Sequence, residues 1–341
     1  MANRDILAVG TSAGGVEALR YLAKWFHPQF PASVLVTIHV PSNFRSVLDK
    51  LLSRAGPLPA QFATDGDVLE KGRIYIAPPN RHLIVDGHRL ALGEGARENN
   101  ARPAIDPMLR SAAVCCGPRT IGVVLTGTLG DGASGLWAVQ RAGGISVVQD
   151  PKDAEFPEMP LTALNRIQPD HVVQLTDMPA LLNGLVHQQT GAVKLVPRSL
   201  KFEVDIARGG HCTMDEMDGI GRRSVLACPD CGGVLWEIDE GELSRFRCHV
   251  GHAYTAEMMS LALDENLGRA LASAQRVLEE RLALAGKLNT EALHAGRTLL
   301  AKTWAERVHE FEREMDIIRS SIRRLDRLAT DVDAAQRAAA E

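Results

Sequence analysis

Residues 1–187 alternate short apolar runs with stretches of helical periodicity. The runs at 6–9, 34–39, 74–77, 83–85, 120–125, 145–149 and 171–175 are mostly continuous in Ile, Leu, Val and Ala. Strands buried on both faces read this way, because neither face needs polar positions. Helical spacing fills the intervals at 16–25, 46–53, 107–115 and 133–142. Such alternation predicts an α/β fold with a doubly wound, mostly parallel sheet. The segment 82–92 differs, because its Asp86-Gly87 pair sits between two short runs and predicts a β-hairpin. Asp177-Met178-Pro179 predicts the start of a last helix, with Asp as cap and Pro in the first turn.

The pattern changes after residue 187. Residues 188–226 carry scattered Gly, Arg and acidic positions and read as a linker. Residues 227–254 hold a cysteine/histidine cluster and read as a small zinc-ribbon-like module. Residues 255–332 are helical, charged and rich in Leu, Ala, Glu and Arg, and 333–341 read as a frayed Ala-rich tail. Trp304, Val308, Phe311, Met315, Ile318, Ile322, Leu325, Ala329 and Val332 form a stripe with alternating spacings of four and three. Leu267, Leu271, Ala274, Leu278, Leu282 and Ala285 form a shorter one, and Gly286, Asn289 and Gly296 suggest a break between two helices. These stripes predict a helical hairpin that buries them within the chain, or a coiled coil that forms a homodimer.

Composition narrows the classes. At 341 residues with 45% hydrophobic content, the chain is long enough for one large domain and an extension. A net charge of −4 gives no electrostatic reason to expect nucleic acid as a partner. No window approaches the roughly 20 apolar residues of a membrane span, and the first residues carry no signal-peptide pattern. Six cysteines, two of them adjacent at Cys115 and Cys116, do not make a disulfide framework. These features predict a cytoplasmic protein.

Chemistry concentrates at the predicted C-terminal edge of the sheet. Gly10-Thr11-Ser12-Ala13-Gly14-Gly15 joins the first strand to the first helix, where backbone N–H groups and the helix dipole favour negative charge. Residues 10–15 themselves match neither the G-x-G-x-x-G nor the P-loop pattern, which disfavours an anion or nucleotide site at this turn. Gly10-x-Ser12-x-Gly14 has the form of a nucleophile elbow. His39 ends the second run, and Asp131 follows the run 120–125 through Thr126-Gly127-Thr128-Leu129-Gly130. In a doubly wound sheet all three lie beyond strand C-termini. They are therefore candidates for nucleophile, general base and orienting carboxylate. Taken singly, Ser12 could cap its helix, His39 could be a hydrogen-bonded histidine at a strand end, and Asp131 could be a turn or cap residue. The order Ser, His, Asp excludes the α/β-hydrolase arrangement, which runs Ser, Asp, His.

At these residues the chain resembles the chemotaxis receptor methylesterases, the CheB family. The family's Gly-x-Ser-x-Gly-Gly start, His-Met-Pro segment and Leu-Thr-Gly-Met-Gly-x-Asp-Gly loop correspond to residues 10–15, His39-Val40-Pro41 and 125–132. Further matches are Ile105-Asp106-Pro107-Met108-Leu109-Arg110-Ser111-Ala112-Ala113, residues 143–150, and Met159-Pro160, so the resemblance spans roughly 4–187. It implies hydrolysis of glutamyl methyl esters on cytoplasmic chemoreceptor helices with release of methanol, and deamidation of receptor glutamines. Receptor helices, a receptor methyltransferase pathway and its signalling proteins are the implied partners. No cofactor is implied for catalysis. Backbone N–H groups at Ala13 and Thr128 are the implied oxyanion donors. Here Ala13 replaces the family's Thr, Thr128 its Met, Leu129 its following Gly, and Val40 the Met after His. The well-known members carry an N-terminal phospho-receiver domain. With no room for one before Ser12, regulation is expected from residues 188–341, from a partner, or not at all. A non-catalytic receptor-binding scaffold is the alternative function.

Cys228-Pro229-Asp230-Cys231-Gly232-Gly233 has the form of a metal knuckle, and Phe246-Arg247-Cys248-His249-Val250-Gly251-His252 supplies a second ligand group. Cys228, Cys231, Cys248 and either His252 or His249 make four N/S ligands, which predicts a closed structural zinc site. Trp236, Phe246 and Tyr254 are the expected small core.

Overall fold

The computed structural model describes residues 3–40, 46–210, 212–240 and 243–338, and side chains at all of these except 240, 243 and 326–338. Pro41 and His211 therefore lie outside the described residues. The chain divides into a unit of residues 1–259 and a helical unit of residues 260–339.

The first unit begins with β1 (Ile6–Thr11), α1 (Gly15–Trp25), β2 (Ser33–Ile38), α2 (Leu48–Ala55), β3 (Ala60–Phe62) and β4 (Ile74–Ile76). There follow β5 (His82–Asp86), β6 (Arg89–Gly93), α3 (Ile105–Cys116), β7 (Thr120–Val124), α4 (Ala133–Arg141) and β8 (Ile145–Gln149). The α/β part closes with α5 (Glu158–Arg166), β9 (His171–Val173) and α6 (Met178–Val186). Seven strands form one sheet in the order β3-β4-β2-β1-β7-β8-β9, and every neighbouring pair is parallel. Alternate residues of β1 serve opposite faces, as strand geometry requires. Ile6 and Ala8 pack with α3, α4 and the hairpin, whereas Leu7 and Val9 pack with α1, α2 and α6. β5 and β6 form the expected hairpin, a separate two-stranded sheet. Asp177 occupies the N-cap of α6, but its side chain makes no capping hydrogen bond.

The described part of the stretch expected as a linker, residues 188–226, carries regular elements. It contains α7 (Arg198–Arg208) and α8 (Met214–Asp218), the latter closed by a capping box between Thr213 and Glu216. Val204 and Ala207 of α7 are buried against Ile84 of the hairpin. Glu203 on the same helix is 1% exposed. Its role in packing is electrostatic, and apolar periodicity alone does not reveal it.

Residues 222–255 form an antiparallel sheet of four strands, β10 (Arg222–Ala227), β11 (Val234–Glu240), β12 (Leu243–Cys248) and β13 (Ala253–Thr255), in sequence order. Trp236 and Tyr254 are fully buried, as expected of a small core. Phe246 is half-buried, and Trp236 packs instead with Ile206 of α7 and Met217 of α8. Arg245 and Arg247, two apart on β12, project to one face and are buried. Arg247 bonds Glu98 at 2.7 Å and Glu203 at 2.9 Å, Arg245 bonds Glu203 at 2.5 Å, and Arg110 of α3 bonds Glu98 at 3.2 Å. Burial pushes the Glu98 and Glu203 carboxyls up, but the surrounding guanidinium charges outweigh it and hold both well below the ordinary range. These residues fasten the small sheet to the α/β body, since removing one member would strand a buried charge.

The second unit consists of the long helix α9 (Ala256–His294), which starts in the first unit, and α10 (Thr298–Ala338). The chain turns at Gly296 with φ of 67°. Gly286 and Asn289 do not break α9. Leu278 and Ala285 are buried against Phe311 and Met315, with Leu282, Trp304, Val308 and Ile318 packed around them. The stripes thus meet within one chain over Leu278–Ala285 and Trp304–Ile318, as in the hairpin arrangement, whereas Leu267 of the shorter stripe is 47% exposed. Ala329 and Val332 have side chains outside the described residues. α10 continues to Ala338, well into the segment expected to fray. Among the described residues, no helix is long and apolar enough to cross a membrane.

Candidate active site

β1 and β2 run in register with Thr11 beside Ile38, and β7 flanks β1 on the other side. The residues after these strands are therefore neighbours at one edge. Ser12 follows β1 directly, and its N–H donates to the Thr126 carbonyl in the loop after β7 at 3.1 Å. His39 follows β2, and its N–H donates to the Thr11 carbonyl at 3.3 Å. Gly127 backs onto Ser12 so closely that a β-carbon there would stand 2.8 Å from Ser12 Cβ and 2.2 Å from the Met159 sulfur. Glycine is needed at 127 for this close approach.

Asp131 is 1% exposed and lies 2.7 Å from His39 Nε2 through its Oδ2. The same oxygen accepts from the Ile105 N–H at 2.6 Å, and Oδ1 accepts from the Asp106 N–H at 3.1 Å. These are the first two residues of α3, whose N-terminus has free donors and a positive dipole end. The helix reaches Asp131 because Gly10 leaves room; a β-carbon there would sit 2.2 Å from Ile105 Cγ2. Burial alone would raise the Asp131 carboxyl. The hydrogen bond and charge of His39, with the donors of Ile105 and Asn99, outweigh it and hold the group below the ordinary aspartate range.

Nε2 is turned to the carboxylate, and Nδ1 makes no hydrogen bond among the described residues. The Ser12 hydroxyl makes no hydrogen bond among the described residues. Ala13 and Thr128 are half-buried residues, and their N–H groups carry no backbone hydrogen bond among the described residues. Leu129 has φ of 69°, a left-handed conformation that a glycine adopts freely and leucine does not. Its N–H is tied to Glu158 at 2.9 Å.

In the small sheet, Cys228, Cys231, Cys248 and His252 bring their ligand atoms within 4.8 Å of one another. The Cys231 and Cys248 sulfurs are 3.8 Å apart, and His252 Nδ1 lies 3.5 Å from Cys248 Sγ and 3.7 Å from Cys228 Sγ. A tetrahedron with Zn–S of about 2.3 Å and Zn–N of about 2.05 Å has edges of roughly 3.8 Å and 3.6 Å, so the group fits such an ion. His249 stands outside the group, with its carbonyl accepting from the Cys212 thiol. Asp230 Oδ2 lies 3.7 Å from His252 Nε2 and accepts from the Tyr254 hydroxyl at 2.7 Å, a carboxylate behind the histidine of the kind that orients ligating imidazoles.

Residues 7–182 match the family model described as CheB methylesterase. The chain belongs to the CheB methylesterase family. A Leptospira interrogans protein, named as a candidate protein-glutamate methylesterase/protein-glutamine glutaminase, is 31% identical over 180 residues, covering 52% of this chain and 93% of that one. A Pyrococcus abyssi protein-glutamate methylesterase/protein-glutamine glutaminase is 34% identical over 196 residues, covering 56% of this chain and 53% of that one. The chain thus spans about half the length of that second relative. The crystal structure of the Thermotoga maritima CheB methylesterase catalytic domain is similar at a TM-score of 0.52 and 30% identity, covering 55% of this chain and all of that one.

Two residues of this CheB site escaped the sequence reading. Asn99 Nδ2 donates at 3.0 Å to both Asp131 Oδ1 and Asp106 Oδ2. Asp106 also accepts from the Gly132 and Gly135 N–H groups at 3.0 and 2.7 Å. Burial, and next the charge of Asp131, push the Asp106 carboxyl up to about 8. Asp106 stood in the motif that carried the resemblance, but Asn99 lies in the loop Arg97-Glu98-Asn99-Asn100, which has no pattern of its own.

Proposed function

We propose that the protein is a serine hydrolase that removes methyl esters from glutamyl residues of chemoreceptor helices, releasing methanol, and that it deamidates receptor glutamines by the same route. The observation that carries this reading is the His39–Asp131 hydrogen bond, anchored on the N-terminus of α3 at the edge where Ser12 stands. Family membership and the names of the relatives supply the substrate class.

Ser12 Oγ attacks the ester carbonyl while His39 Nδ1 takes its proton. The charge that develops on the carbonyl oxygen is held by the N–H groups of Ala13 and Thr128. Asp131 fixes the imidazole tautomer and stabilises its cation. Collapse breaks the bond to the methoxy group, which leaves with the His39 proton as methanol. His39 then deprotonates a water that attacks the acyl-serine, and the glutamate carboxylate and the Ser12 hydroxyl are restored. A glutamine side chain follows the same steps with ammonia as leaving group. A serine-directed fluorophosphonate is expected to form one adduct, mapped by mass spectrometry to Ser12. Folded protein that is not labelled would instead support the receptor-binding scaffold.

Cys228, Cys231, Cys248 and His252 are assigned to a structural zinc ion. Four protein ligands leave no open position, so the ion's contribution is to folding of the small sheet. About one equivalent of zinc is expected to survive dialysis and to be lost in Cys248→Ser, read by inductively coupled plasma mass spectrometry. A metal-free protein with the same stability would overturn the assignment. Cysteines that form no disulfide among the described residues and the proposed receptor-helix substrate together support a cytoplasmic location.

A further inference from the structure

We infer that Asn99 is a positioning residue through which the Cys/His module braces Asp131. The inference rests on the proposed hydrolase, but its geometry stands apart from the substrate. Glu98 and Ala253 of β13 form a parallel bridge. The Asn99 N–H donates to the Ala253 carbonyl at 2.8 Å, and the Thr255 N–H donates to Asn99 Oδ1 at 3.1 Å. β13 therefore holds Asn99 by both main chain and side chain.

The Asn99 amide has two N–H donors and one acceptor. All three are used: the donors reach Asp131 and Asp106, and the acceptor receives Thr255. This fixes the orientation of the amide, because a flipped group would turn its NH₂ onto the Thr255 N–H and its oxygen onto the Asp131 carboxylate. Asn99 is 5% exposed, with φ of 50°, a conformation asparagine tolerates better than most residues. The buried pairs of Arg247 with Glu98 and Glu203 clamp the module beside it. A chain of contacts thus runs from β13 through one amide to the carboxylate that orients His39. Displacement of β13 would remove one of the two donors to Asp131 Oδ1, leaving the Asp106 N–H, and would loosen the carboxylate that faces the imidazole.

Asn99→Gly tests this, because glycine keeps the left-handed backbone and the bond to Ala253 while removing the amide. Thr255→Pro removes the N–H from the module side. The substrate-independent readout is the low-field proton NMR resonance of the His39 imidazole N–H bonded to Asp131. Asn99→Gly is expected to shift or broaden that resonance. It is also expected to lower kcat by about 10-fold to 100-fold with KM unchanged, as small misplacements of reacting groups do. Thr255→Pro is expected to move the resonance in the same direction by less. An unchanged resonance and kcat in Asn99→Gly would overturn the proposal. A shift in Asn99→Gly with none in folded Thr255→Pro would overturn the module's part in it. Lack of ester turnover by the wild type would count against the hydrolase reading, and the resonance would still decide the brace.

Discussion

Ser12→Ala is expected to lower hydrolysis by about 10⁶-fold while leaving stability within about 0.5 kcal/mol of wild type. The kinetic loss follows from the mechanism: without Oγ there is no acyl-enzyme, and only binding and the oxyanion donors remain. The stability expectation follows from the site. Among the described residues the Ser12 hydroxyl accepts and donates no hydrogen bond, so its removal strands no partner. The contacts that fix this position are made by its backbone and by Gly127. Steady-state hydrolysis beside a thermal melt checks both halves. A variant that loses activity because it unfolds would not support the role of nucleophile.

Asp131→Asn is expected to lower kcat by about 10⁴-fold. Each carboxylate oxygen here accepts two bonds, Oδ2 from His39 and Ile105 and Oδ1 from Asn99 and Asp106. An amide has one acceptor oxygen, so its NH₂ must face two donors. If the NH₂ takes the Oδ2 place, His39 Nε2 must accept. The imidazole proton then sits on Nδ1, toward Ser12, and cannot be replaced by the serine proton. If it takes the Oδ1 place, it opposes the donors of Asn99 and Asp106. Either arrangement leaves buried donors unpaired, at about 1–3 kcal/mol each. Asp131→Asn should therefore lose stability as well as rate, unlike Ser12→Ala. Nitrogen NMR of the His39 ring reads the tautomer, and denaturant unfolding reads the loss. Wild-type kcat in a folded Asp131→Asn would remove Asp131 from the mechanism.

The elements that were legible are those in which apolar runs decide the structure. β1, β2, β7 and β8 are buried on both faces, so their sequences are continuous in apolar residues, and the residues that follow them share an edge. That logic led to Ser12, His39 and Asp131 from one chain. The three-residue strand β3 is too short to carry a period. α7 was missed although Leu200, Val204, Ile206 and Ala207 give it a buried apolar face, because Glu203 interrupts that face and charged residues read as solvent-facing unless their partners are known. Arg110, Arg245 and Arg247 are buried for the same reason, and their partners are up to 149 residues away. Asn99 was invisible because its significance lies in geometry, a left-handed backbone that turns one amide to three partners. In the cysteine cluster, spacing alone left His249 and His252 open. The β12–β13 turn at Gly251, with φ of 112°, brings His252 to the sulfurs.

Methanol release from a chemoreceptor fragment carrying glutamyl methyl esters, measured for the wild-type protein beside Ser12→Ala, tests the central claim most directly. The account predicts stoichiometric methanol and new receptor carboxylates with the wild type, and none above background with Ser12→Ala. Equal release by both, or none by a folded wild type that binds the fragment, would contradict it.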